Sequence, residues 1–199
     1  MDTKRVCEEM MQYGCELILI DGAIDRKSIA SPETSDAIIL STGAVLSRSM
    51  RKVVDETAHI VNLYSIPEME ECEARTLIEE NNFDDKIMLI SRDGKVNKLD
   101  LATGLGSSRF IDDEIDDDTE YVYIPGAFTN SVIADINLKK LKRVKFILKN
   151  PTKIFLSAMD WGLWRKKGFR VNVLKNIEIA AITVNPWAPS GYTFDSDAL

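Results

Sequence analysis

The residues best placed to do chemistry follow runs of apolar side chains. Leu17-Ile18-Leu19-Ile20-Asp21-Gly22 closes four apolar residues on a carboxylate and a glycine. In a buried strand that order delivers one acid to the strand end, where it can hold magnesium directly or through water. Asp25, Arg26, Lys27 and Ser28 come next and put a second carboxylate, two cations and a hydroxyl into one loop. Arg26 and Lys27 are candidates for phosphate oxygens. Asp21 is the candidate metal ligand, sharing a metal or an ordered water with Asp25. A second run, Asp36 to Leu40, ends on Ser41-Thr42-Gly43, a small hydroxyl-bearing turn expected to open a helix whose free N–H groups meet an anion. Asn185, after the apolar run Ile179 to Val184, offers both a donor and an acceptor. The candidate ligand- or phosphate-binding set is therefore Asp21, Gly22, Asp25, Arg26, Lys27, Ser28, Thr42, Gly43 and Asn185. No catalytic residue is assigned, because turns favour the same residue types with no ligand at all.

The remaining reactive side chains narrow the chemistry. His59 is the only histidine, which excludes a multi-histidine metal site and any Ser-His-Asp triad that does not use it. Cys7, Cys15 and Cys72 have no Cys-x-x-Cys spacing, and Cys72 lies between two acids, Glu71 and Glu73, so none is taken as a nucleophile. They read as reduced thiols of a cytoplasmic protein. Trp161 and Trp164 lie three apart, hence on one helix face, with Arg165 beside them. That trio is either core packing or an interaction patch, since Trp and Arg are enriched in interface hot spots. Trp187 and Tyr192 are candidates to line a pocket beside Asn185.

Elements that could position these groups recur along the chain. Apolar blocks of strand length begin at Leu17, Ala37, Ile87, Tyr121, Lys153, Arg170 and Ile179. Most are continuous, as in strands covered on both faces, and only Arg170 to Leu174 alternates as a half-exposed antiparallel strand would. Between them helical spacing is expected at Val45 to Val61, Glu68 to Asn81, from Thr129 through Leu141, and Met159 to Lys167 with Gly168 as the C-terminal cap. The alternation predicts an α/β fold with a mainly parallel sheet and helices on both faces. The 199 residues suffice for a single domain, and residues 94–120 are expected to form an irregular acidic loop, with seven acids among the nine residues from Asp112 to Glu120. The basic stretch Lys139 to Lys153 is expected to be a solvated helix end and strand flank. A net charge of −7 argues against general nucleic-acid binding, and no apolar run approaches the ~20 residues that cross a bilayer. Homo-oligomerisation is left open.

The strand ending in Asp21-Gly22, followed by the strand from Asp36 to Gly43, resembles the second half of P-loop enzymes of the dethiobiotin synthetase and cobyrinate synthetase kind, over about residues 16–62. In that resemblance Asp21 stands at the Walker B position and the fold is P-loop NTPase-like, or Rossmann-like. The chain departs from the family at its central feature. No Gly-x-x-x-x-Gly-Lys-Ser/Thr loop occurs, and Thr103 to Arg109 has glycines and hydroxyls but no lysine. This chain alone is therefore expected to hold no cofactor and hydrolyse no ATP, with nucleotide and magnesium requiring a missing segment or a partner. Either the chain is a fragment of a longer protein, or its fold has abandoned nucleotide chemistry. The ending favours the first, because Asp195 or Ser196 could cap a helix that does not follow.

Two further segments, Leu19 to Met50 and Tyr123 to Val132, resemble the lysine aminomutase reactivase subunits encoded beside cobalamin-dependent amino-acid aminomutases of fermenting bacteria. That resemblance implies a cytoplasmic accessory protein that works with an ATPase subunit, or on the aminomutase, to replace damaged cobalamin. An intact small-molecule transferase or ligase using the same strand ends, and a non-catalytic interaction module around Trp161, Trp164 and Arg165, are the rival expectations.

Overall fold

The computed structural model describes residues 3–21, 30–81, 85–100 and 107–195. In chain order the elements are α1 (Thr3–Gln12), β1 (Ala37–Gly43), α2 (Met50–Tyr64), α3 (Glu73–Asn81), β2 (Ile87–Ser91), β3 (Val96–Leu99) and α4 (Ser107–Glu114). Then come β4 (Thr119–Ile124), α5 (Asn130–Ile133), α6 (Leu138–Arg143), β5 (Lys145–Leu148), α7 (Ala158–Lys166), β6 (Val171–Val173) and β7 (Glu178–Asn185). The chain is mixed α/β, and among the described residues three of the five strand pairings are parallel. It divides into two compact units, Met1–Tyr64 with Ile177–Leu199, and Ser65–Asn176.

The second unit holds a five-stranded sheet in the order β3-β2-β4-β5-β6. β4, β5 and β6 are parallel, whereas β2 runs antiparallel to both β3 and β4. Strand side chains alternate between faces. Met88, Tyr123 and Ile147 accordingly fall on one face, where Ile78 of α3 packs against them together with Met69 and Leu174. Phe146 falls on the other and meets Phe169, which stacks on Phe128 with ring centroids 5.4 Å apart and takes Trp161 of α7 edge-on. Burial on both faces explains why the sequence of β2 and β5 reads as continuous apolar residues rather than alternation.

Several expected elements differ. β5 is a central strand that the sequence hides, because Lys145 and Lys149 flank only three apolar residues inside a basic stretch. The block expected at Lys153 to Leu156 is a 3-10 turn over Pro151–Lys153 followed by a single bridge from Ile154 to Phe128. Pro151 removes a ladder donor there. β6 pairs in parallel with β5, and its far side is covered by the segment around Glu68, where Met69 N–H donates to Val173 O at 2.8 Å and Val173 N–H donates to Pro67 O at 3.1 Å. That pairing holds Glu68 out of α3, which starts at Glu73. Arg75 locks the arrangement by donating to the carbonyls of Met69 and Leu174 while pairing with Glu79.

Residues 94–120 are likewise not an irregular loop throughout, since β3 and α4 lie within them. The acidic run has a structural purpose. Asp112 pairs with Lys140 and accepts Asn137 N–H, Asp117 pairs with Arg143, and Glu120 with Lys145. Three acids of the run thus pair with three cations of the basic stretch. Asp116 closes the turn into β4, accepting the Thr119 hydroxyl at 2.7 Å and the Thr119 amide at 2.8 Å, and these bonds hold its carboxyl below the usual carboxylate range. The helix expected through Thr129 to Leu141 breaks into α5 and α6, because Asn137 is an N-cap whose side chain accepts Lys139 N–H.

The first unit has a two-stranded parallel sheet, β1 with β7, and a small core of Ala44, Val53, Ala188 and Phe194 under α2. α2 begins at Met50, later than the expected Val45, because Ser49 accepts Lys52 N–H as its cap while Val45 and Leu46 stay exposed. β7 is apolar but mostly exposed, unlike the covered strand its sequence suggests. Leu17 to Ile20 forms no strand; Leu17 is 77% and Leu19 80% exposed. Among the described residues no helix is long and apolar enough to cross a membrane.

Candidate functional site

In an open α/β sheet, ligands bind beyond the carboxyl ends of parallel strands. Each unit has such an edge. In the first, Thr42 lies opposite Val184 and Gly43 opposite Asn185, so the structure brings Thr42, Gly43 and Asn185 together. Ala44 N–H donates to Asn185 O at 2.9 Å and continues the ladder one residue past β1. Gly43 is dictated by this approach. Its φ is +149°, and a Cβ on it would sit 2.0 Å from Asn185 O. The polar side chains are already engaged: Thr42 Oγ1 lies 2.8 Å from Thr57 Oγ1, and Asn185 Oδ1 accepts Trp187 N–H at 3.0 Å. α2 starts seven residues after Gly43, so the turn does not open directly into a helix as expected.

Asp21 is exposed and follows a segment without strand pairing, so it does not end a buried strand as a Walker B acid would. Gly22, Asp25, Arg26, Lys27 and Ser28 lie outside the described residues, as does Ser196. Among the described residues no group of three or more His, Cys, Asp and Glu side chains is placed to hold a metal. Trp187 is exposed, whereas Tyr192 turns inward, donating to Arg48 O at 2.9 Å and meeting Phe194 edge-on.

The second unit offers a polar cluster that the sequence reading did not single out. Asn130, Ser131 and Thr129 follow β4, Asn150 follows β5, and Ser157 caps α7. Asn130 Oδ1 accepts the indole N–H of Trp164 at 2.9 Å, and Thr129 Oγ1 lies 2.8 Å from Ser131 Oγ. Ser157 Oγ donates to Asp160 Oδ2 at 2.6 Å and accepts Asp160 N–H at 3.1 Å. Hydrogen bonds from the Ser157 hydroxyl and then the Asn130 side chain hold the Asp160 carboxyl below its usual range. The signal available in the sequence was Ser157 three residues before Asp160, a capping-box spacing at a helix start. This cluster can position hydrogen bonds and one fixed anion. Its donors and acceptors chiefly hold α5 and α7 together.

Trp164 is only 6% exposed, so of its two expected roles core packing is the one its burial fits. Trp161 is half-buried against Phe169, with the guanidinium of Arg165 6.0 Å from its ring. Gly168, at φ +93°, ends α7 as expected. Gly168 N–H donates to Arg165 O, and Phe169 N–H to Trp164 O, both at 3.0 Å, which is a Schellman closure.

Ser157→Ala should cost about 1 kcal/mol at neutral pH by removing the cap. Because the Asp160 carboxyl is depressed in the folded chain, its share of that stability is present above the ordinary carboxylate range. It is lost as pH falls through the depressed folded value. Urea melts at neutral pH and near the lower end of the carboxylate range should therefore show the gap between wild type and variant narrowing in acid. A gap that widens in acid would contradict the assignment.

Together these edges define an α/β chain with two parallel-strand ends whose side chains are tied mostly into structure. No protein-family model, curated protein or solved structure matches the chain.

Proposed function

We propose that the chain is a cytoplasmic accessory subunit without catalysis of its own, acting beside a protein partner in the reactivation of a cobalamin-dependent aminomutase. The fold in this reading is P-loop NTPase-like without the Walker A loop, and any nucleotide with its magnesium belongs to an ATPase partner. In this reading Thr42, Gly43 and Asn185 are the strand-end edge for a phosphate or small ligand. The observation that carries the reading is the apolar exposure of the first unit. Ile39, Ile182 and Val184 on the two strands, with Leu17 and Leu19, all face solvent. Ile182 and Val184 share one face of the two-stranded sheet and Ile39 lies on the other, so both faces leave apolar side chains in water, where each Å² forgoes roughly 25 cal/mol. The resemblance in Leu19 to Met50 and Tyr123 to Val132 supplies the identity of the system.

The test is affinity purification of the tagged full chain from its source cells, with calorimetry of the isolated chain against Mg-ATP. The expected result is co-purification of an aminomutase or its ATPase, and no measurable nucleotide binding by the chain alone. Sub-micromolar Mg-ATP binding, or steady turnover by the isolated chain, would move the reading to a small-molecule transferase or ligase.

A further inference from the structure

We propose that α7 is the docking element, and that it receives an amphipathic helix of the partner protein whose apolar stripe is bordered by aspartate or glutamate. The inference rests on the accessory-subunit reading and adds to it a second surface, on α7, and the chemistry of the partner.

Met159 and Leu163 stand one turn apart on α7 and are both exposed, Met159 at 83%, with Phe155 exposed just before the helix. Gly162 sits between them in the interior of a nine-residue helix. A glycine there costs about 1 kcal/mol relative to alanine. Among the described residues nothing packs against it, since a Cβ on Gly162 would meet no atom within 4 Å. A bare backbone next to two exposed apolar side chains suits the close approach of a second helix.

The charge pattern selects that helix. Lys140, Arg143 and Lys145 are paired with acids. Arg165, Lys166, Lys167 and Arg170 have no ion pair among the described residues, in a chain whose net charge is −7. The acid on α7, Asp160, is turned to Ser157 and Asn130. Arg165 and Lys167 lie over the Trp161 and Trp164 rings, so Lys166 and Arg170 are the cations that complement an apolar stripe edged with carboxylates. A nucleic acid is the poorer fit. Trp164 is buried and Trp161 packs on Phe169, so bases find little aromatic face to stack on. Met159 and Leu163 would gain nothing from phosphates. A second copy of this chain is the competing occupant, and the crosslinked peptides distinguish it.

The test places the photo-crosslinker p-benzoylphenylalanine at position 159 of the full chain in extract from source cells, and sequences the crosslinked peptides. One recurring segment, apolar at helical spacing and flanked by Asp or Glu, is the expected product. Its yield should fall at least tenfold in Lys166→Glu/Arg170→Glu and in Gly162→Leu, while near-ultraviolet circular dichroism stays that of the wild type. Crosslinks to a second copy or to nucleic acid, scattered products, or an undiminished yield in the charge-reversed chain would overturn the proposal. If the partner co-purifies equally well with Leu163→Glu, this surface is wrong and the accessory reading stands. If the unmodified chain brings down no partner and position 159 yields no specific product, both fail.

Discussion

Phe169→Ala is expected to destabilise the second unit by about 3–5 kcal/mol, the largest effect of any single substitution argued for this chain. Phe169 is fully buried at the point where three elements meet. Its ring lies parallel to Phe128 at 5.4 Å, tilted on Phe146 of β5 at 5.1 Å, and edge-on to Trp161 of α7 at 6.1 Å. Alanine removes the transfer free energy of the ring and leaves a cavity whose walls cannot close. Phe146 is fixed by the ladder of β5, and Phe128 by its bonds to Lys153 O and Phe155 N–H at 2.7 and 2.8 Å. Urea unfolding followed by tryptophan fluorescence measures the effect, because Trp161 and Trp164 sit in the same unit. A loss below about 1 kcal/mol would place Phe169 outside the core. Phe169→Leu should recover a large part of the loss, since it restores most of the volume.

Gly43→Ala should disrupt the carboxyl end of the β1–β7 ladder, by about 2–4 kcal/mol. Two causes add. The backbone at φ +149° is a conformation that side chains rarely adopt, and the new Cβ would meet Asn185 O at 2.0 Å and Asn185 C at 2.8 Å. These are backbone atoms paired in the ladder, so no rotamer change relieves the contact. The strands must part there, and the bond from Ala44 N–H to Asn185 O goes with them. Amide hydrogen exchange is the direct measurement: Ala44 and neighbouring β7 amides should exchange faster, while those of β4 and β5 keep their rates. A glycine serving only as a ligand contact would leave these rates unchanged on substitution, so this result separates the structural from the ligand-binding explanation.

Gly43 also shows how far the residues themselves could be read. Its place at a strand end after Ser41-Thr42 was legible, and a strand end is where ligands are sought. Its partner was not, because the approach to Asn185 spans more than a hundred residues of sequence and depends on the parallel pairing of β1 with β7. Leu17 to Ile20 shows the opposite failure. Four apolar residues satisfy the local pattern of a buried strand, but a strand needs a neighbour, and its composition says nothing of whether one is present. β5 was missed because lysines flank its short apolar core. Their charges reach Glu120 and Asp85 and so cost the strand nothing.

What the sequence determined by itself is what local rules govern: the α/β alternation, the identity of β1, β2, β4, β6 and β7 within a residue or two, and the closure of α7 at Gly168. Propensity, periodicity and capping act over a few residues, and a few residues were enough to read them. Only the tertiary structure decided which strands are covered, that three acids of the acidic run pair with cations of the basic stretch, that Trp164 is buried, and that Met159, Leu163 and Lys166 of α7 are left exposed. Those properties depend on which distant segments meet. Burial and charge pairing are set by the neighbours a side chain acquires on folding, and the residues beside it in sequence do not fix them.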